Sequence, residues 1–330
     1  MGKITVLGTG GWGIALAVHA FSLGHKVSMW SPFSQEVDAL NSKRESEKLL
    51  PGIKIHEDIL ITDNIENVFG ADITIIATPS FAVRETAARL KGKQTGIVVN
   101  VAKGFEKETM LRLSEVITEE LPDKKLVILS GPSHAEEVAK NIPTTVVAAS
   151  CDAAAAKEVQ DALIGNNFRI YTNSDVIGVE IGGALKNVIA VAAGIENGLK
   201  SGDNTRAALI TRGLAELARL GTAMGADRNT FMGLSGLGDL IVTCISEHSR
   251  NNRFGNLVGS GVPVAEALEK VGTVEGYYAA AIAKKLADKY EINMPIIEQC
   301  YNILYNGTEP KNALTNLMTR PGTTEEESWS

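Results

Sequence analysis

Between residues 3 and 150, short apolar and β-branched runs alternate with longer segments in which apolar positions recur at helical spacing. That is the sequence form of a parallel sheet with crossover helices. The runs predict strands at residues 4–7, 27–30, 73–77, 97–101, 126–129 and 145–149, with a last one near 168–171. Most are apolar throughout, as expected where helices cover both faces of a sheet. Helices are predicted at 11–23, 81–90, 108–120, 134–139 and 153–164.

After Thr172 the pattern changes, because apolar-periodic segments follow one another with no strand-like run between them. In 205–224 the residues Ile210, Leu214, Leu217 and Leu220 form one stripe, and 274–290 and 295–304 look similar. Gly-rich turns are expected at 233–238 and 255–261. The segment 176–195 is apolar enough to suggest a membrane span, but it carries Glu180, Lys186 and Asn187. A charge at mid-bilayer is costly, so it reads as a helix buried in protein. The predicted fold class is α/β: an N-terminal Rossmann domain with a doubly wound, mostly parallel sheet at 1–173, then an all-helical domain at 174–320. Residues 321–330 read as a polar, acidic tail that frays.

Composition narrows the partners. With 44% hydrophobic and 22% charged residues in 330, the chain is an ordinary globular protein, and 32 basic against 39 acidic residues leave a net charge of −7. Neither nucleic-acid phosphates nor an anionic membrane suits such a surface. An anionic ligand must instead meet a local basic cluster. Cys151, Cys244 and Cys300 lie far apart without CxxC spacing, which favours reduced thiols in a cytoplasmic protein. The apolar N-terminal run meets Gly8 too soon to form a signal-peptide core, and the five histidines show no zinc-ligand spacing, so no metal is expected.

Gly8-Thr9-Gly10-Gly11-Trp12-Gly13 fits GxGxxG directly after a predicted strand and at the start of a predicted helix. Gly8 permits the tight turn, Gly10 lets backbone approach a pyrophosphate, and Gly13 allows close helix–strand packing. NAD would be marked by an acid at the end of the second strand and NADP by a base. Here the chain reads Trp30-Ser31-Pro32-Phe33-Ser34, with Glu36 and Asp38 already in the next segment, so the choice between the two stays open. At later predicted strand ends stand Lys103, placed to meet an anion, and Gly131-Pro132-Ser133, where Ser133 could cap the following helix.

Lys186 stands in an apolar segment among glycines and alanines. Burial can lower an amine's pKa toward the range useful for proton transfer. Reduction of a ketone by a nicotinamide leaves negative charge on the carbonyl oxygen, which a lysine can stabilise and protonate. Pairing with Glu180, six residues earlier, is the competing role, though the spacing puts the two on different helix faces. The cluster Ser249-Arg250-Asn251 offers a guanidinium with polar neighbours, suited to a phosphate.

Taken together, these segments resemble the bacterial-type NAD(P)-dependent glycerol-3-phosphate dehydrogenases. The likeness is carried by the Gly8 to Gly13 loop, Val101-Ala102-Lys103-Gly104, Leu129 to Val138, Gly182 to Asn187, Gly236 to Leu240, His248 to Asn251 and Val274-Glu275-Gly276. The resemblance implies reduction of dihydroxyacetone phosphate to sn-glycerol 3-phosphate, a phospholipid precursor, with Lys186 transferring the proton. It implies substrate contacts from Lys103, Gly131, Ser133, Lys186, Asp239, Ser249, Arg250 and Asn251. For NAD or NADP it implies the loop residues Gly8, Gly10, Gly11, Trp12 and Gly13, with Phe33, Lys103, Ala135, Arg250, Val274 and Glu275. A homodimer is compatible with it. Two departures stand out: Gly11 replaces the family's usual serine, and Pro32 and Phe33 fall where relatives often carry His or Arg. Two other readings are a related dehydrogenase of hydroxy or sugar acids and a nicotinamide-sensing module without turnover.

Overall fold

The computed structural model describes residues 1–325; the last five residues of the predicted tail lie outside them. Two units divide the chain: Met1–Glu106 with Leu111–Val176, and Lys107–Met110 with Ile177 onward.

The first unit is built on ten strands. They are β1 (Lys3–Leu7), β2 (Lys26–Trp30), β3 (Glu45–Ser46), β4 (Leu50–Lys54), β5 (Leu60–Thr62), β6 (Ile73–Ile76), β7 (Ile97–Asn100), β8 (Leu126–Ser130), β9 (Thr144–Ala149) and β10 (Phe168–Asn173). Eight form one sheet in the order β10-β9-β8-β7-β6-β1-β2-β5, parallel except between β8 and β9. β3 and β4 make a separate antiparallel hairpin. The helices of this unit are α1 (Gly11–Ser22), α2 (Ser34–Lys43), α3 (Val83–Ala88), α4 (Leu113–Glu120), α5 (Ala135–Ala139) and α6 (Ala153–Leu163).

Side-chain alternation along each strand feeds two cores, one per face. Ile4 and Val6 of β1 join Ile14, Leu16 and Met29 on one face, while Leu7 joins Trp30, Ile76 and Val98 on the other. The expected mostly parallel Rossmann sheet is present, and seven of its eight strands, all but β5, match the predicted runs to within two residues.

Three local expectations fail for identifiable reasons. Helix 108–120 starts only at Leu113, because Met110 takes a left-handed φ of 60° and Glu106 N bonds back to Leu111 O. α2 went unpredicted because it buries only Val37 and Leu40, too few for a clear stripe. The β3–β4 hairpin and β5 are short and largely exposed, with little apolar alternation to announce them.

The second unit is helical: α7 (Val176–Leu199), α8 (Asp203–Ala223), α9 (Asp239–Ile245), α10 (Arg250–Gly259), α11 (Val264–Val271), α12 (Glu275–Lys289), α13 (Pro295–Asn306) and α14 (Pro310–Met318). α7 is long and apolar enough to cross a membrane, yet 83% of its most apolar window is buried inside the protein, as a core helix would be. The expected turn at 255–261 is a correction. Gly255 and Gly259 lie inside α10, where a Cβ would come within 2.1 Å of Val191 O and 2.2 Å of Ile195 O. Across the contact, a Cβ on Gly194 would meet Asn252 O at 2.1 Å. These glycines bring two helix backbones together, and the turn begins only beyond Gly259. The expected turn at 233–238 is mostly one π-helical turn, Leu234–Gly238, that runs into α9.

Candidate functional site

Register sets the first element of the site. Leu7 pairs with both Trp30 and Ile76, so β1, β2 and β6 end level and Gly8, Ser31 and Ala77 emerge side by side. This edge, where the strand order reverses about β1, is where open α/β sheets bind ligands. Gly8 has φ +123°, and a Cβ there would sit 2.6 Å from Ala77 O. A Cβ on Gly13 would lie 2.3 Å from Gly8 O, so α1 is seated directly on the loop. At Gly10 nothing lies within 4 Å of an added Cβ. The loop is closed toward the sheet and open on the side of the α1 N-terminus, which fits an approaching pyrophosphate. Trp12 and Ala135 are partly buried against the neighbouring core. The glycine at position 11 has a local cause: a Cβ would fall 2.9 Å from Leu49 O, so hairpin backbone occupies the room a serine would need.

No acid follows β2 in sequence, yet the structure brings one there. Glu36, in the first turn of α2, accepts from Thr9 Oγ1 at 2.9 Å and from Ser31 Oγ at 2.9 Å through the same carboxylate oxygen. Phe33 beside it is exposed. Farther along the sheet edge, Lys103 Nζ and Ser133 Oγ both donate to Gly131 O, at 3.1 and 2.9 Å. Ser133 therefore does not cap α5; His134 takes that position.

In the second unit, a backbone contact fixes the position of Lys186. A Cβ on Gly182 would meet Ser235 O at 2.7 Å, so α7 and the π-helical turn touch there. One helical turn beyond each contact point stand Lys186 and Asp239, respectively. Lys186 is 6% exposed and Asp239 1%, and Lys186 Nζ donates to Asp239 Oδ1. It also donates to Thr243 Oγ1 at 2.6 Å. Asp239 and Thr243 are i, i+4 on α9 and so share a face. Thr243 was missed by the sequence reading; that spacing from Asp239 is the signal that could have found it. The ion pair of Lys186 is with Asp239.

Beside this cluster runs a buried amide chain. Asn251 Nδ2 donates to Asn187 Oδ1 at 2.9 Å, and Gly276 N donates to Asn251 Oδ1 at 2.9 Å. It ties α7, α10 and the start of α12 together, next to Val274 and Glu275. Ser249 caps α10 by accepting from Asn252 N at 3.2 Å. Asn251 and Ser249 thus have protein partners, whereas Arg250, the first residue of α10, is exposed and its side chain has no hydrogen bond or ion pair among the described residues.

A cavity of about 830 Å³ elsewhere in this unit is lined by Arg212, Glu216, Arg219, Arg320 and Leu317, among others, but by none of Lys186, Asp239 or Arg250. The chemistry argued from the residues does not lie there.

Comparison with known proteins agrees with these features. The family described as NAD-dependent glycerol-3-phosphate dehydrogenase matches by its N-terminal part over residues 3–156 and by its C-terminal part over 175–315. A glycerol-3-phosphate dehydrogenase (NAD(P)+) of Desulfitobacterium hafniense is 50% identical over 97% of this chain and 92% of its own. One of Bacillus pumilus is 50% identical over 99% and 97%. The crystal structure of the Coxiella burnetii glycerol-3-phosphate dehydrogenase superposes with a TM-score of 0.93 at 39% identity, covering 97% of this chain and 99% of that one.

Proposed function

The chain belongs to the NAD-dependent glycerol-3-phosphate dehydrogenase family, and from that premise we propose that Lys186 is its general acid and base. The enzyme interconverts dihydroxyacetone phosphate and sn-glycerol 3-phosphate with NAD or NADP, in the service of phospholipid synthesis. The bound nucleotide supplies the hydride.

The observation that carries the role of Lys186 is its burial between Asp239 and Thr243. As the carbonyl carbon becomes tetrahedral, negative charge grows on its oxygen, and a fixed ammonium there both stabilises that charge and donates the proton. In the opposite direction the neutral amine accepts the alcohol proton. Asp239 and Thr243 position the amine, so the nitrogen needs little reorganisation as the reaction proceeds.

Arg250 is assigned to the substrate phosphate. A cation at the positive end of a helix is unfavourably placed unless an anion joins it, and a guanidinium matches phosphate geometry. Ser249 and Asn251 support it by fixing the start of α10. In the sheet unit, Gly8, Gly10, Gly11, Trp12 and Gly13, with Phe33 and Ala135, are assigned to the nucleotide. Lys103, Gly131 and Ser133 are assigned to anionic groups at the same edge. Val274 has its side chain buried, so a nucleotide contact there comes through its backbone, with Glu275 beside it. A cytoplasmic location is supported by three unpaired cysteines at unrelated positions, and the net charge of −7 favours small anions at local sites over nucleic acid.

Lys186→Ala and Lys186→Met test the central role. Both are expected to lower kcat by about 10² to 10⁴ while NADH binding, followed by nucleotide fluorescence, is retained. Activity that survives the substitution would remove the role.

A further inference from the structure

Thr9, Ser31 and Glu36 form a group that the proton chemistry does not use. Thr9 belongs to the glycine loop and is buried; Ser31 is the first residue after β2 and is also buried; Glu36 comes from α2 and is exposed. The carboxylate folds back five residues to accept from both hydroxyls at 2.9 Å. Ser31 Oγ in turn accepts from Phe33 N at 3.3 Å, which steadies the turn.

In a Rossmann sheet this corner, between the first βα loop and the end of the second strand, takes the adenosine ribose. We propose that Glu36 is the residue that selects NADH over NADPH, by receiving the ribose hydroxyls on its carboxylate and repelling a 2′-phosphate. The proposal deepens the dehydrogenase reading and rests on it.

Five observations support this. A carboxylate has about four acceptor positions, of which Thr9 and Ser31 use two, so it can also receive ribose hydroxyls. Residues 31–35 (Ser, Pro, Phe, Ser, Gln) contain no lysine or arginine to neutralise an additional phosphate. A second carboxylate stands nearby: Ser34 Oγ donates to Asp63 Oδ2 at 2.5 Å. The guanidinium in ring contact with β2, Arg89 over Trp30, is paired with Glu85 at 2.6 Å. Phe33, 61% exposed, offers an uncovered ring beside the corner against which an adenine can stack. A dianionic phosphate brought to this corner would therefore meet two carboxylates and no cation from the adjoining turn.

The test is direct binding of each nucleotide to the whole protein without substrate, read by the fluorescence of the bound dihydronicotinamide and by quenching of Trp12. The wild-type protein is expected to bind NADH at least tenfold more tightly than NADPH. Glu36→Gln keeps the side chain's size and hydrogen bonding without its charge, and is expected to bring the two dissociation constants within about threefold, chiefly by improving NADPH. Because Glu36 is exposed, the variant should fold, and an unchanged melting temperature checks that it does. Equal or tighter NADPH binding by the wild type, or a ratio that Glu36→Gln leaves unaltered, overturns the proposal while leaving the dehydrogenase reading in place. Failure to bind either nucleotide overturns both.

Discussion

Thr243 Oγ1 lies 2.6 Å from Lys186 Nζ and donates to Asp239 O at 2.6 Å, so one hydroxyl joins the buried amine to the backbone of its carboxylate partner. The hydroxyl cannot rotate away without losing one of those bonds. Thr243→Val keeps the shape and removes both. A hydrogen bond to a charged group contributes about 1.5–3 kcal/mol, so kcat should fall by roughly ten- to a hundredfold with KM changed little. Thr243→Ser should recover most of it; steady-state kinetics of the two variants decide the matter.

Arg250 is expected to govern discrimination for the phosphate. Arg250→Ala should raise KM for dihydroxyacetone phosphate by about tenfold or more, in keeping with a charge-assisted bond. The wild type should be nearly inactive on unphosphorylated dihydroxyacetone. Equal rates on the two substrates would remove the phosphate assignment.

The Asn187–Asn251–Gly276 chain makes a prediction about stability. Asn251→Asp keeps the acceptor for Gly276 N but sets a carboxylate oxygen against Asn187 Oδ1 where a donor stood. A buried acceptor left unpaired costs about 1–3 kcal/mol. Urea denaturation should show a loss of that size, and an unchanged midpoint would mean that the chain contributes nothing.

Gly255 and Gly261 separate two uses of glycine. In a helix interior, Gly→Ala normally gains about 1 kcal/mol. At Gly255 the added Cβ would lie 2.1 Å from Val191 O, and rigid backbone cannot yield, so overpacking of about 3 kcal/mol or more should prevail. Gly261, with φ +94° and nothing within 4 Å, should lose only the conformational strain of about 1–2 kcal/mol. Thermal melts of Gly255→Ala and Gly261→Ala should therefore rank in that order.

Glu216 gives the helical unit a dependence on pH. Burial pushes its carboxyl up to about 7, against the opposing pull of the Ile296 and Ile297 amides it accepts from and of the Arg219 and Arg320 charges. An acid whose pKa is raised by folding favours the fold while protonated. That contribution is complete below the ordinary value of 4.5 and is lost as pH rises through about 7. The melting temperature of the wild type relative to Glu216→Gln should accordingly fall between pH 5 and pH 8. A gap that stays constant over that range would show that the carboxyl titrates at its ordinary value.

Much of the sheet could be read along the chain because buried parallel strands are apolar throughout and the glycine loop follows one of them at once. Lys186 could be singled out because a charge within an apolar helix is conspicuous. α2 could not, since an exposed helix with two buried side chains leaves no periodic mark, and Thr243 is marked only by its four-residue spacing from Asp239. The glycines of α10 misled for a related reason: glycine permits both a turn and close contact between helices, and the residue type does not say which.

By itself the sequence determined what local rules control: the order of the buried strands and of the helices with a clear apolar stripe, the strand–glycine–helix start of the nucleotide site, and the presence of a lysine where apolar residues should be. Tertiary structure decided the pairings. Asp239 and Thr243 meet Lys186, 53 and 57 positions away in the chain, and Glu36 turns back to Thr9 across 27. The physical reason is that hydrogen-bond partners are chosen by packing, here the backbone contact of Gly182 with Ser235 and the level ends of β1 and β2. Such contacts depend on distance in space, which spacing along a chain records only within a helical turn or between neighbours on a strand.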